Sequence, residues 1–189
     1  MSNSPFVSHP ADTAPADARR LVQNTEKAFG FVPSPVARMA TSPQLLDAFL
    51  KVNGIFEQTT LSPLEREVLI MTLATEFGCH YCVAMHTGKL IAQQASEDVV
   101  SALRTKGSLT EPRLEALRLF TLAVFETRGQ VATQDMERFL AAGYTPQNAL
   151  EVILGIGTYT ISTFANRMTA APLDAAFEKF HWDGVDSAS

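Results

Sequence analysis

Four side chains able to move protons and electrons stand at fixed intervals in one stretch of the sequence: Glu67, Cys79, Cys82 and His86. The last three are spaced i, i+3 and i+7, so a helix would carry them on one face. Gly78 precedes Cys79 and reads as a helix break, which puts Cys79 at a helix N-terminus. Unpaired backbone N–H groups and the helix dipole favour a thiolate there. Two cysteines in a Cys-x-x-Cys at such an end can close a small disulfide ring. His86 lies one turn beyond Cys82 and can accept its proton. Glu67 sits on the preceding helix in a run that is otherwise apolar, where a carboxylate is either paired or functional. If Gly78 makes a tight turn, the two helices run antiparallel, and Glu67 and His86 can meet through long side chains and a bridging water.

Two thiols, an imidazole and a carboxylate suit a dithiol that is oxidised and reduced. One thiolate attacks the distal oxygen of a peroxide and becomes a sulfenic acid. The other sulfur condenses with it, releases water and leaves a disulfide. A separate dithiol donor then reduces that disulfide by exchange. The same pair also fits inert core thiols. A structural zinc site needs four ligands, and only His9, His80 and His181 remain besides His86. His80 reads as a solvent-side residue at a helix start or as a relay member. Tyr81 reads as a packing residue or part of a pocket. His181 and Trp182 read as a terminal packing anchor or a subunit contact. Phe49, Phe56, Phe77, Phe120 and Phe164 read as core or interface, or as an apolar mouth for an organic hydroperoxide.

The elements that must position these groups are helices. Ser62-Pro63-Leu64-Glu65 is a helix start with capping-box spacing. The helix that follows runs to about residue 77, is apolar on most sides and is expected at the centre. A second helix covers about 79–94. Further helices are predicted over 16–29, 43–56, 96–105, 111–128, 133–142 and 146–168, with a terminal one from Pro172 to about Lys179. Residues 31–35 read as a proline-broken connector. Apolar spacing marks Leu45, Leu46, Phe49, Val52, Ile55 and Phe56 as the buried face of the second of these helices. The stretch 152–164 has strand propensity, but its length and the spacing of Leu150, Ile153, Leu154, Ile161 and Phe164 favour helix. The class is all-α: residues 1–15 a flexible arm, 16–182 one domain, 183–189 a tail.

Composition narrows the function. The 189 residues are 46% hydrophobic and 19% charged, enough to bury a core without staples. A formal net charge of −5 argues against nucleic-acid binding, which wants a clustered basic face. No apolar run is long enough for a membrane span and no secretory signal stands at the N-terminus, so the expected compartment is the cytoplasm.

The string Glu-x11-Cys-x-x-Cys-x3-His resembles the signature of the AhpD-like alkylhydroperoxidases of the carboxymuconolactone decarboxylase superfamily, most strongly over residues 64–93. The resemblance implies an AhpD-like helical bundle built around a central antiparallel helical hairpin. It implies a thiol-dependent peroxidase or disulfide reductase with no cofactor and no metal. Cys82 matches the peroxidatic cysteine, Cys79 the resolving and proton-donating one, and His86 with Glu67 the proton relay. The best-known AhpD has a histidine just before its second cysteine; here that position is Tyr81, with His80 one place earlier. Implied partners are a peroxide, a lipoyl or thioredoxin-type dithiol donor, and further copies of the chain as a dimer, trimer or hexamer. The alternatives are a carboxymuconolactone-type decarboxylase, a branch generally without the two cysteines, and a non-catalytic oligomer that responds to redox state.

Overall fold

The computed structural model describes residues 5–184. Helices α1 (Ala16–Phe29), α2 (Ser34–Met39) and α3 (Pro43–Phe56) form one layer, α4 (Pro63–Glu76) and α5 (His80–Ala92) a hairpin. They are followed by α6 (Glu97–Arg104), α7 (Pro112–Glu126), α8 (Thr133–Ala141), the long α9 (Pro146–Met168) and a 3-10 turn over Ala175–Phe180. No strand interrupts them among the described residues, and no helix there is long and apolar enough to cross a membrane. The four end residues 1–4 and the tail residues 185–189 lie outside the described residues.

The centre is α4, packed on α5, α7 and α9. It starts where its capping box does: the Ser62 hydroxyl accepts from Glu65 N–H and the Glu65 carboxylate accepts from Ser62 N–H. Val68, Leu69, Ile70, Met71 and Leu73 have no exposed surface, as an all-round apolar helix requires. Where α9 crosses this core, Gly155 lets the backbone come close. A Cβ there would lie 2.8 Å from Leu69 Cδ2 and 2.8 Å from Phe56 Cε2. Both neighbours are wholly buried, so neither can yield. Gly155→Ala should therefore destabilise the fold by about 1–3 kcal/mol, read as a lowered thermal midpoint with the helical spectrum retained.

Four expectations need correction. The connector after α1 holds a short helix, because Pro35 falls within the first turn of α2, where its missing N–H is harmless. The terminal helix is a 3-10 turn that starts later, because the Asp174 carboxylate accepts from Ser34 and Tyr81 and makes no capping bond. The segment before α1 is seated over part of its length: His9 N–H donates to Ala37 O and Ala14 is buried. Leu45 and Ile55 are exposed rather than buried.

The long helix α9 shows the largest departure. Its apolar Leu150, Ile153 and Phe164 face outward, at 69%, 51% and 50% exposed. Its buried face is the polar one: Thr158, Tyr159, Ser162, Thr163 and Asn166. Burial of polar side chains is costly unless they are partnered: Thr158 donates to Leu154 O, Tyr159 to Asn53 Oδ1, and Thr163 and Asn166 meet Cys82 Sγ.

Candidate active site

The turn between α4 and α5 builds the site. Gly78 adopts a left-handed φ of 63°, its N–H donates to Thr75 O, and Cys79 N–H donates to Ala74 O. This double bond is the Schellman ending, and it hands the next residue over as the N-cap of α5. That residue is Cys79, whose Sγ accepts from Cys82 N–H at 3.3 Å. A sulfur thus takes the place usually held by a serine or aspartate oxygen. Both cysteines are reduced and buried.

The two thiols sit in unequal surroundings. The Cys79 thiol is held below its ordinary value, chiefly by the hydrogen bond from the Cys82 side chain, with the Cys82 amide, Asn166 and Arg167 adding to it against burial. The Cys82 thiol is pushed well up, because its proton is engaged by Cys79 and because it is buried. Of the two, Cys79 is thus the more readily ionised. Cys82 Sγ also accepts from Asn166 Nδ2 at 3.3 Å and lies 3.8 Å from Thr163 Oγ1.

Glu67 and His86 meet directly, with no need of a bridging water: Oε2 and Nδ1 are 2.6 Å apart. Burial pushes the Glu67 carboxyl up, but His86, Lys89 and Arg66 outweigh it, and the group is held below the usual carboxylate value. The carboxylate accepts from Nδ1–H, which in the neutral ring leaves Nε2 as the proton acceptor. Lys89 Nζ stands 3.7 Å from the other carboxylate oxygen. The imidazole edge meets the Tyr159 ring at 5.4 Å between centroids, and the Tyr159 hydroxyl reaches Asn53 Oδ1 at 3.1 Å.

His80 is tied elsewhere. Its Nδ1–H donates to Trp182 O at 2.6 Å, so its bond runs to the closing segment and not to the Glu67–His86 pair. Tyr81 donates to Asp174 Oδ2 at 2.7 Å, and burial with that carboxylate raises its phenol. Trp182 is buried and donates to Arg104 O, while Arg104 donates to Phe180 O and His181 O. His181 and Trp182 are thus a packing anchor within the chain. Phe180 covers Gly88, where a Cβ would meet its ring at 2.8 Å.

Two cavities approach the thiols. A polar crevice of about 240 Å³ is lined by Gly78, Cys79, His80, Asn166 and Arg167. A chamber of about 110 Å³ lies between the α1–α3 layer and the α5–α9 face. Tyr81 and Asn166 border both. A wider hollow of about 520 Å³ beside α6 includes none of the site residues. Asn166, Thr163, Tyr159 and Asp174 were not singled out for the site by sequence reasoning. A signal for three of them exists: Tyr159, Ser162, Thr163 and Asn166 form a polar stripe at i, i+3, i+4 and i+7 in an otherwise apolar helix.

Residues 43–120, from the start of α3 into α7, match the family model of the carboxymuconolactone decarboxylase family. Over that stretch the chain is similar to this family, and its fold is that of AhpD-like proteins. Solved structures share its fold. The alkylhydroperoxidase AhpD core of a peroxidase-related protein from Ralstonia eutropha JMP134 matches at TM-score 0.81 and 21% identity, over 94% of this chain and 95% of that one. A peroxidase-related protein from Silicibacter sp. TM1040 matches at 0.76 and 17%, over 93% and 95%. The debrominase Bmp8, in complex with 2,3,4-tribromopyrrole, matches at 0.73 and 17%, over 95% and 96%. No curated protein matches the sequence. The chain carries the all-α bundle around an antiparallel hairpin that the resemblance implied.

Proposed function

We propose that this chain is a thiol-dependent peroxidase that reduces hydrogen peroxide or alkyl hydroperoxides through Cys82 and Cys79. The observation that carries the reading is the buried, reduced dithiol at the N-terminus of α5, with Cys79 Sγ accepting from Cys82 N–H. Cys79, as thiolate N-cap, takes the proton of Cys82 and makes the Cys82 thiolate. Cys82 attacks the distal peroxide oxygen: an S–O bond forms, the O–O bond breaks, and sulfur loses two electrons to the peroxide. The leaving alkoxide takes the proton from Cys79, which gives the alcohol. Cys79, again a thiolate, displaces the sulfenic oxygen as water with one further proton, which the Glu67–His86 pair would relay. The product is a Cys79–Cys82 disulfide. A dithiol donor enters through the polar crevice, where Cys79 forms part of the wall, and restores both thiols. The protein would work as a homo-oligomer, with the outward apolar stripe of α9 the natural surface for a second copy. A decarboxylase would not need the thiols, and turnover of a lactone acid by a cysteine-free variant would reverse the assignment.

Thiol titration tests the reading. One equivalent of tert-butyl hydroperoxide should remove two thiols per chain within minutes, and excess dihydrolipoamide or reduced thioredoxin should return both. Two intact thiols after peroxide would overturn it.

A further inference from the structure

Asn166 is 5% exposed and stands with one side of its amide on the catalytic sulfur. Its Nδ2 donates to Cys82 Sγ, while its Oδ1 is buried with no hydrogen-bond partner. A buried amide oxygen without a donor costs stability, and such an atom beside a reactive group calls for a ligand that brings the donor. The 110 Å³ chamber that Asn166 borders is otherwise built to hold an apolar body. Val36, Met39, Phe49 and Leu50 come from the α1–α3 layer and Met85 from α5. Of its other polar side chains, Thr25 is engaged by Leu21 O, Tyr81 by Asp174, Tyr159 by Asn53 and Lys89 by Glu67, and the Ser162 hydroxyl also lines it.

We propose that this chamber binds the organic group of a small alkyl hydroperoxide, with Asn166 Oδ1 accepting the O–H. The inference rests on the peroxidase reading above and names its substrate class. In a hydroperoxide the proton is on the distal oxygen, the atom that the thiolate must attack. Accepting that O–H therefore holds the distal oxygen against the same amide whose other end holds Cys82 Sγ. The size sets the class, since a cavity of about 150 Å³ lined by Leu, Ile and Phe accepts benzene. A branched group of about four carbons fits and a long lipid chain does not. The substrate comes from the α1–α3 side of the dithiol and the reductant from the polar crevice, so the two need not compete for one opening.

The test uses ligands that cannot react. Methyl NMR of the reduced wild-type protein follows Val36, Met39, Leu50 and Met85 during titration with tert-butyl alcohol and with tert-butyl methyl ether, which lacks the donor. The alcohol should shift these methyls and bind about fivefold or more tightly than the ether. Asn166→Leu should remove that preference. Val36→Phe and Met85→Phe fill the chamber from opposite walls, and either one that keeps the helical spectrum should bind neither ligand. Equal affinity of alcohol and ether in the wild type, no shift of these methyls, or binding unaffected by the filling variants would each overturn the proposal. A protein that binds the alcohol as described but leaves peroxide untouched would sink the peroxidase reading and keep the chamber.

Discussion

Cys82→Ser should lose peroxide turnover by about a thousandfold or more, down to what an unassisted thiol manages. A serine hydroxyl cannot become a stable oxygen-bearing, two-electron-oxidised centre, so the loss is of the chemistry itself and not of binding. The partner variant, Cys79→Ser, should behave differently. It keeps Cys82 and so should complete one turnover, but no second sulfur can displace the sulfenic oxygen. Mass spectrometry after one equivalent of peroxide should find a single added oxygen on Cys82 in Cys79→Ser, and none in Cys82→Ser. That first turnover should also be slower than in the wild type, because the thiolate that takes the Cys82 proton is gone. Its rate should climb with pH as the raised Cys82 thiol ionises. In the wild type the pair shares its charge, and the rate should flatten at a pH below the ordinary thiol value of 9.0. A Cys82→Ser variant that turned over peroxide as fast as the wild type would exclude the assignment.

Glu67→Gln should cost the fold about 2–3 kcal/mol near neutral pH, since it leaves His86 facing an amide inside the core. The pH dependence identifies the cause. In the folded protein the Glu67 carboxyl is held below its ordinary 4.5. A depressed carboxyl stabilises the fold above the unfolded value, and the contribution disappears as pH falls through the folded value. Wild type should therefore lose stability faster than Glu67→Gln on acidification, and their urea midpoints should converge. Parallel curves from neutral to acid would mean that the carboxylate charge contributes nothing. Activity should fall as well, because the tautomer that leaves Nε2 free is set by this one hydrogen bond.

The hairpin and the places of Glu67, Cys79, Cys82 and His86 on it were legible because every signal for them is local. The capping box at Ser62, the break at Gly78 and the i, i+3, i+7 spacing all fall within 25 residues, and each has a single structural reading. The direct Glu67–His86 contact was only half visible, because helix length places the two groups near one level but does not give the distance between axes. Asn166 and Asp174 could not be found that way. They reach Cys82 and Tyr81 across 84 and 93 residues, and neither carries a local pattern that names its partner. The outward apolar face of α9 misled for a physical reason. Hydrophobic spacing identifies a face to be covered, but not whether the cover comes from the same chain. The site sits on the opposite face, where Thr163 and Asn166 meet Cys82.

The strap formed by residues 180–182 has a consequence for how the protein comes into being. His80 is fastened to a carbonyl 102 residues later, and Arg104 fastens to that same late segment. Helices α4 and α5 can coil as soon as they are synthesised, since their contacts are local. The residue beside the first cysteine, however, gains its anchor only when Trp182 has left the ribosome. Until then His80, in the wall of the crevice beside Cys79, lacks the carbonyl that accepts its Nδ1–H. A chain interrupted before residue 180 would hold both cysteines and lack the carbonyl that fixes His80 beside the first of them.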